Sequence, residues 1–416
     1  MSSCSEPGLL PIESAIEKLL GSVAALQPLS TESVSLSHAC GRVLAMPVGS
    51  PVNVPPHDNS AMDGYALRHE DCQAGQALAV SQRIPAGVAP QPLQPGTAAR
   101  IFTGAPVPEG ADTVVMQEDC TVSEEGCITV SAGVTLGAHI RRAGEDIQSG
   151  QVILSPGQRL RPVDLGLIAS VGVATVEVYR ALRVAVLVSG DELLEPGMPP
   201  MAGKIYNSNQ YLLVALMERL GFEVVLQRKV ADTLVATTAA LAAAAAVADV
   251  IVTTGGVSVG EEDHLKPAVE SLGELDLWKV NIKPGKPFAF GWVGADSQRR
   301  VPFIGLPGNP VSVYTTLLVL GVPFLQSLQG TAWRAPEPVP VPLGFSMKKA
   351  GTRDELLRVR LVMDHGQVCL QKYPNQGSGV LSSVAWADGF AMVRAGECFR
   401  EGEPVPFLRV EQMLGG

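Results

Sequence analysis

The sequence predicts a multidomain protein of mixed α/β and β class, built around a doubly wound α/β domain. Three observations predict it. The chain has 416 residues, more than one hydrophobic core organises. Residues 180–330 alternate apolar runs of strand length with helical patterns, which is the order of a parallel sheet covered on both faces. The stretches on either side read differently. They carry short β-branched runs cut by turns, drawing on a total of 43 glycines and 32 prolines.

Composition narrows the function classes. Hydrophobic residues make up 46% and charged residues 17%, so the chain is globular. The formal net charge is −10 and no block of Lys or Arg occurs, which argues against a nucleic-acid partner. An acidic protein holds an anion only through a local cluster of cations. The seven cysteines, Cys4, Cys40, Cys72, Cys120, Cys127, Cys369 and Cys398, are odd in number and contain no CxxC pair. They predict free thiols in a reducing cytoplasm rather than a disulfide framework or a zinc ribbon. The N-terminus lacks a basic segment followed by an apolar one, so no signal peptide is expected. The most apolar stretch, Leu234 to Val252, is Ala-rich and passes through Asp249, too weak a signal for a membrane span.

The elements follow in order. Ile12, Ala15, Ile16, Leu19 and Leu20 fall at helical spacing before Gly21, predicting a helix over 8–22. From Pro51 to about Ile140, turns recur and short runs such as Thr113 to Met116 read as strands, a β-rich insert. Pro162 opens a helix that Gly172 closes. Residues 1–50 and 141–179 therefore read as one helical platform interrupted by the insert 51–140. In the α/β region, strands are predicted at Arg183–Val188, Phe222–Val230, Val250–Thr253 and Pro302–Gly305. Helices are predicted at Asn207–Leu220, Thr233–Val247, Asp263–Leu272 and Asn309–Val319. After Gly330 a Pro-rich linker leads to residues 331–416, which read as a small β-barrel or sandwich.

Chemistry concentrates in four loops of the α/β region, where such sheets bind ligands. Ser189-Gly190-Asp191-Glu192 places two adjacent carboxylates after the first strand. Alone it reads as an ordinary turn. Thr253 to Gly260 is glycine-rich and is followed by Glu261, Glu262 and Asp263. Its amides can cradle phosphate, and carboxylates beside a phosphate suit Mg²⁺. Lys279, Lys283 and Lys286 gather around a Pro-Gly turn, either a solvated hairpin tip or a site for a small oxyanion. Gly305 to Pro310 runs from a strand into a helix start that offers free amides, with Asn309 as the expected cap. Residues alone lead to a phosphate-bearing ligand, a divalent metal and a second anion.

Longer motifs go further. PPHDNSAMDGYAL (Pro55 to Leu67), RIFTGAPVPEGADTVVMQED (Arg100 to Asp119), RRAGEDI (Arg141 to Ile147), SGDEL, TTGGVSVGEED, KPGKPFAFG and GLPGNPVS together resemble the molybdopterin molybdenumtransferase family (MoeA and the gephyrin E domain) over nearly the whole chain. The resemblance implies a MogA-like, molybdopterin-binding α/β domain at 180–330 and a C-terminal β-barrel at 331–416. It implies transfer of molybdate into adenylylated molybdopterin, with Mg²⁺-dependent release of AMP, in a cytoplasmic homodimer whose site is shared between chains. On that pattern Asp63 and Thr103 face the substrate from the partner chain and Asp146 supports them. Glu192, Asp232 and Asp263 form the acidic side, with Asp263 and Glu192 holding the metal. Lys279 and Lys283 form the basic side, with Lys286 beside them. Gly255, Gly256, Ser258, Pro307, Gly308 and Asn309 line the nucleotide pocket, and Arg358 and Ser378 lie near molybdate. One stretch departs from the family pattern: Thr352 precedes Arg353, and Leu356 or Leu357 replaces an aromatic before Arg358. A molybdopterin adenylyltransferase would hand over the pterin and molybdoenzyme chaperones would receive the product. Two alternatives share the α/β fold, an adenylyltransferase acting one step earlier and a non-catalytic scaffold. The β-rich insert and last domain weigh against the first, and Asp63, Asp263 and the lysines against the second.

Overall fold

Strand Arg183–Ser189 is apolar at every position from Val184 to Val188 because both of its faces are covered there. Val184, Val186 and Val188 point into one core with Val252, Ile304 and Leu306. Ala185 and Leu187 point into the other with Ile251 and Phe303. The computed structural model in which this is seen describes residues 8–72, 75–131, 133–256, 264–296 and 299–415. The chain divides into two compact units, Met1–Glu32 with Tyr179–Gly416, and Ser33–Val178.

In the first unit a six-stranded sheet runs in the order Glu223–Val230, Arg183–Ser189, Val250–Thr254, Arg299–Leu306, Pro287–Asp296, Gly273–Lys279. The first four strands are parallel. The last two are antiparallel, which corrects the expectation of an all-parallel sheet. The segment from Gly273 to Leu306 carries Lys-Pro-Gly-Lys-Pro in its middle, so its strands were hidden behind what reads as a loop. Helices Leu234–Val247 and Leu265–Leu272 cover one face, and Ser208–Arg219 and Pro310–Leu328 cover the other. Thr233 caps the Ala-rich helix by accepting from Ala236 N at 3.2 Å.

The helix predicted to end at Val319 continues to Leu328 through a five-residue π turn, Leu317–Gly321. Pro323 has no N–H to give the carbonyl of Val319, and the wider turn sits at that point. This helix is long and apolar enough to cross a membrane, but its most apolar window is 94% buried inside the protein, as a core helix is.

The first helix, Ile12–Val23, buries Ile12, Ala15 and Leu19 in this same α/β core. By contact it belongs with residues 179–416. The C-terminal strands Asp354–Asp364, Gly389–Val393, Pro404–Arg409 and Val339–Pro342 pair in that order, with Gln367–Lys372 on the outer side of the first. A bridge from Leu343 to Leu370 brings the two ends together as a barrel around Val359, Leu370 and Phe407.

In the second unit another six-stranded sheet has Thr97–Ile101 and Ala77–Ile84 at its centre, with Gly64–Leu67 beside the former, and buries apolar residues on both sides. Among the described residues the remainder of this unit holds one α-helix, Pro162–Ser170, packed through Ile168 against Leu44, Val176 and Val178. Pro162 opens that helix as predicted, but short strands rather than helices make up most of the platform.

Candidate active site

The carboxyl ends of parallel strands point one way, so the loops that follow them meet. Here they line a cleft of about 670 Å³ within the first unit. Ser189, Gly190 and Glu192 come from the loop after Arg183–Ser189, and Asp232 from the loop after Glu223–Val230. Gly255 and Gly256 follow the central strand, and Pro307, Gly308 and Asn309 precede the long helix. The opposite wall is Lys283, Pro284, Gly285 and Lys286 from the hairpin turn, Arg353 from the start of the barrel, and Gln376, Gly377 and Ser378.

The carboxylate side is tightly held. Asp232 Oδ1 accepts from the Ser189 hydroxyl, and its Oδ2 accepts from Asp191 N at 2.9 Å. Because Thr233 caps the helix, Asp232 is released from capping and turned toward its neighbours. Glu192 is exposed at the cleft, and its carboxylate lies over Gly190, where a Cβ would come within 2.6 Å of Oε2. Gly255 has φ +89°, and a Cβ there would stand 2.6 Å from the carbonyl oxygen of Ser189. Glycine at this position is therefore what lets the two strand ends close up. Ser258 and Asp263 lie outside the described residues, as do Glu261 and Glu262. Among the described residues no group of three or more His, Cys, Asp or Glu forms a ready metal cage.

The cationic side differs from the expectation. Lys283 is exposed and pairs with Glu355 at 3.0 Å, and Ile282–Lys283 pairs as a short parallel strand with Asp354 and Glu355. Lys286 lines the cleft, half-buried. Lys279 does not. It sits exposed at the end of an edge strand, beyond the turn that carries the other two. Arg353 takes part in its place and donates to the carbonyl of Ile282 at 3.2 Å. Arg358 is also absent from the wall. It is fully buried, and its guanidinium donates to Ser383 Oγ (3.1 Å), Gly377 O (3.2 Å) and Leu356 O (3.4 Å). Burial pushes its pKa down to about 10. Arg358 thus supports the Gln376–Ser378 loop from behind. Gln376 helps by accepting from Arg358 N and donating to its carbonyl.

Asn309 precedes the helix as expected, but its side chain makes no capping hydrogen bond and is exposed at the cleft. The Ser378 carbonyl accepts from Val311 N at 3.0 Å, which fixes the barrel loop to the helix start. Ser312, Gln376, Arg353 and Asn209 were missed in the sequence. Only proximity to GLPGNPVS, NQGSG and the Asn207 cap could have signalled three of them.

In the second unit Asp63 and Thr103 do meet, from segments 40 residues apart. Asp63 Oδ1 accepts from both Thr103 N and Thr103 Oγ1, each at 2.8 Å. The Thr103 amide first, then its hydroxyl, hold the exposed Asp63 carboxyl below the usual aspartate range. Asp146 is exposed, and among the described residues its side chain makes no hydrogen bond to either.

Residues 10–172 match the MoeA N-terminal region (domain I and II), 185–327 a probable molybdopterin binding domain, and 340–410 the MoeA C-terminal region (domain IV). A Haemophilus influenzae protein named molybdopterin molybdenumtransferase is 40% identical over 388 residues, covering 92% of this chain and 94% of its own. A Nostoc protein of the same name is 37% identical, with 89% and 86% covered. The crystal structure of a molybdopterin biosynthesis MoeA protein from Pyrococcus horikoshii superimposes with a TM-score of 0.79 at 28% identity, covering 96% of this chain and 99% of that one.

Proposed function

Since this chain belongs to the MoeA family of molybdopterin molybdenumtransferases, enzymes of molybdenum cofactor biosynthesis, we propose that its cleft takes adenylylated molybdopterin and molybdate and transfers molybdenum to the pterin with release of AMP. The observation that carries this reading is the division of one cleft into a carboxylate wall at Glu192 and Asp232 and a cationic wall at Lys283, Lys286 and Arg353, joined by glycine loops.

The glycine loop and the helix start at Asn309 offer backbone amides to the phosphoanhydride. Lys283, Lys286 and Arg353 bind molybdate and offset charge on the leaving phosphate oxygen. Arg358 keeps the Gln376–Ser378 loop, and with it Ser378, at the oxyanion. Glu192 and Asp232 would hold a Mg²⁺ ion, which binds through one or two carboxylates. Asp263 is the third candidate ligand. When bound, Mg²⁺ neutralises phosphate charge. No protein nucleophile is called for. Catalysis rests on positioning and charge compensation.

The protein works as a cytoplasmic homodimer in this reading, with four domains bounded near 51–140, 180–330 and 331–416. The partner subunit's Asp63, Thr103 and Asp146 complete each cleft. The hydrogen bonds that hold Asp63 ionised support a role facing ligand. A molybdopterin adenylyltransferase supplies the substrate and molybdoenzyme chaperones take the product. The test is incubation of the purified protein with adenylylated molybdopterin, molybdate and Mg²⁺. AMP release that depends on molybdate supports the proposal, and its absence sinks it. Light scattering checks the dimer, because an active monomer contradicts a shared site.

A further inference from the structure

We propose that Asn209 is a positioning residue that fixes the distance between the glycine-rich loop and the Pro307–Asn309 loop, and thereby sets affinity for the nucleotide end of the substrate. The inference rests on the reading of the cleft given above. Asn209 is the second residue of helix Ser208–Arg219, whose start is capped by the Asn207 side chain accepting from Gln210 N at 3.3 Å. Its Nδ2 donates to the carbonyl of Gly308 at 2.7 Å and to Thr254 Oγ1 at 3.2 Å. The Thr254 hydroxyl donates in turn to the carbonyl of Pro307 at 2.6 Å. A hydroxyl has one proton to give, so Thr254, having given it to Pro307, accepts from Asn209. Proton direction is therefore fixed along the chain, outward from the helix to both loops.

This wiring requires two N–H donors on a short side chain at position 209, and Asn supplies them. Its other end makes the same point. Asn209 Oδ1 is buried and has no hydrogen-bond partner among the described residues. The site uses the donor half and tolerates an idle acceptor, which costs free energy and is retained only where the donors matter. Asn209, Thr254 and Gly308 also line a side lobe of about 340 Å³ that shares Ser189, Glu192, Gly255, Gly308 and Asn309 with the main cleft. Asn209 acts through Thr254 and Gly308.

Asn209→Asp is the sharpest test because it keeps the shape and removes the donors. An ionised carboxylate at 209 faces the Gly308 oxygen and the Thr254 oxygen with nothing to donate. For this variant the KM for adenylylated molybdopterin should rise at least as much as for Asn209→Ala and stay raised from about pH 5.5 to 8, where an aspartate is ionised. Asn209→Ala should raise KM about tenfold, by an amount independent of pH, with kcat within about twofold of wild type. Thr254→Val should resemble it and Thr254→Ser should restore KM. These two decide the matter if Asn209→Asp fails to fold. Unchanged KM in Asn209→Ala and Thr254→Val, or an Asn209→Asp KM equal to that of wild type, overturns the proposal. Calorimetric binding of AMP to the same variants gives the same ranking independently of turnover. A wild type that binds AMP but releases none from the substrate would therefore count against the reading of the cleft and leave this inference to be judged on AMP affinity.

Discussion

Replacing Gly255 with Ala adds one methyl group at the mouth of the cleft, and the structure says what it meets. The residue sits at φ +89°, where an L side chain costs about 1–2 kcal/mol. The new Cβ would lie 2.6 Å from the Ser189 carbonyl oxygen, so the loop must open by about 0.8 Å to reach an ordinary contact near 3.4 Å. A ligand group misplaced by about 1 Å can lose on the order of 10²-fold in rate. Gly255→Ala should therefore lower kcat/KM for molybdate-dependent AMP release by roughly 30- to 100-fold, while the fold is destabilised by only about 1–2 kcal/mol. Gly308→Ala is the matched control. That glycine also lines the cleft, but an added Cβ finds nothing within 4 Å and its backbone is not left-handed. Its kcat/KM should stay within roughly threefold of wild type, as for substitutions that meet no neighbour. Equal effects of the two substitutions, or full activity in Gly255→Ala, would refute the reasoning.

Three further outcomes are expected. Asp232→Ala should cut kcat/KM on the order of 10²-fold by freeing Ser189 and Asp191, yet leave the far-ultraviolet dichroism unchanged because Thr233 still caps the helix. A loss of helix signal would contradict this. Arg358→Met should destabilise the barrel by about 3 kcal/mol in urea unfolding, because Ser383 and the Gly377 carbonyl lose a charged donor, and should weaken molybdate binding through the Gln376–Ser378 loop. An equally stable variant with normal molybdate affinity would assign Arg358 no supporting role. Asp63 has a lowered folded pKa, so its contribution to stability is complete above the ordinary aspartate range and is lost only as pH falls through that lowered value. A carboxyl titration followed by NMR should show Asp63 ionised below the other exposed aspartates and Thr103→Val raising its midpoint. A midpoint at the ordinary value would remove the Thr103 hydrogen bonds from the explanation.

Much of this was legible in the chain, for reasons that differ between residues. The inner parallel strands announce themselves because burial on both faces demands continuous apolar runs, as from Val184 to Val188. Their loops could then be placed at one edge from topology alone, which brings Glu192, Gly255 and Gly308 together, while Asp232 entered only through the family resemblance. The antiparallel pair was not legible, since Gly273–Lys279 and Pro287–Asp296 carry charged and small residues and depend on pairing rather than on local pattern. Lys279 and Arg358 mark the limit of reading charge from sequence. A cation three or four residues from a site residue can point along the edge of a strand or into a core, and only packing decides between them. Arg353 precedes strand Asp354–Asp364 and Arg358 stands within it, yet one lines the cleft and the other is fully buried.

The short pairing of Ile282–Lys283 with Asp354 and Glu355 has a further consequence. The turn that carries Lys283 and Lys286 begins where Lys279 is registered against Pro287 in the α/β sheet, and its middle is a ply of the barrel. One stretch of backbone is therefore stitched into two sheets at once. Any hinge between those two sheets would have to tear these hydrogen bonds or carry the lysines with it, so the turn behaves as a tie-rod and not as a free flap. The barrel is in this sense not a module that could be detached to leave a smaller catalyst. Without it the α/β layer would keep its glycine loops and its carboxylates, but the wall that faces them would have no anchorage.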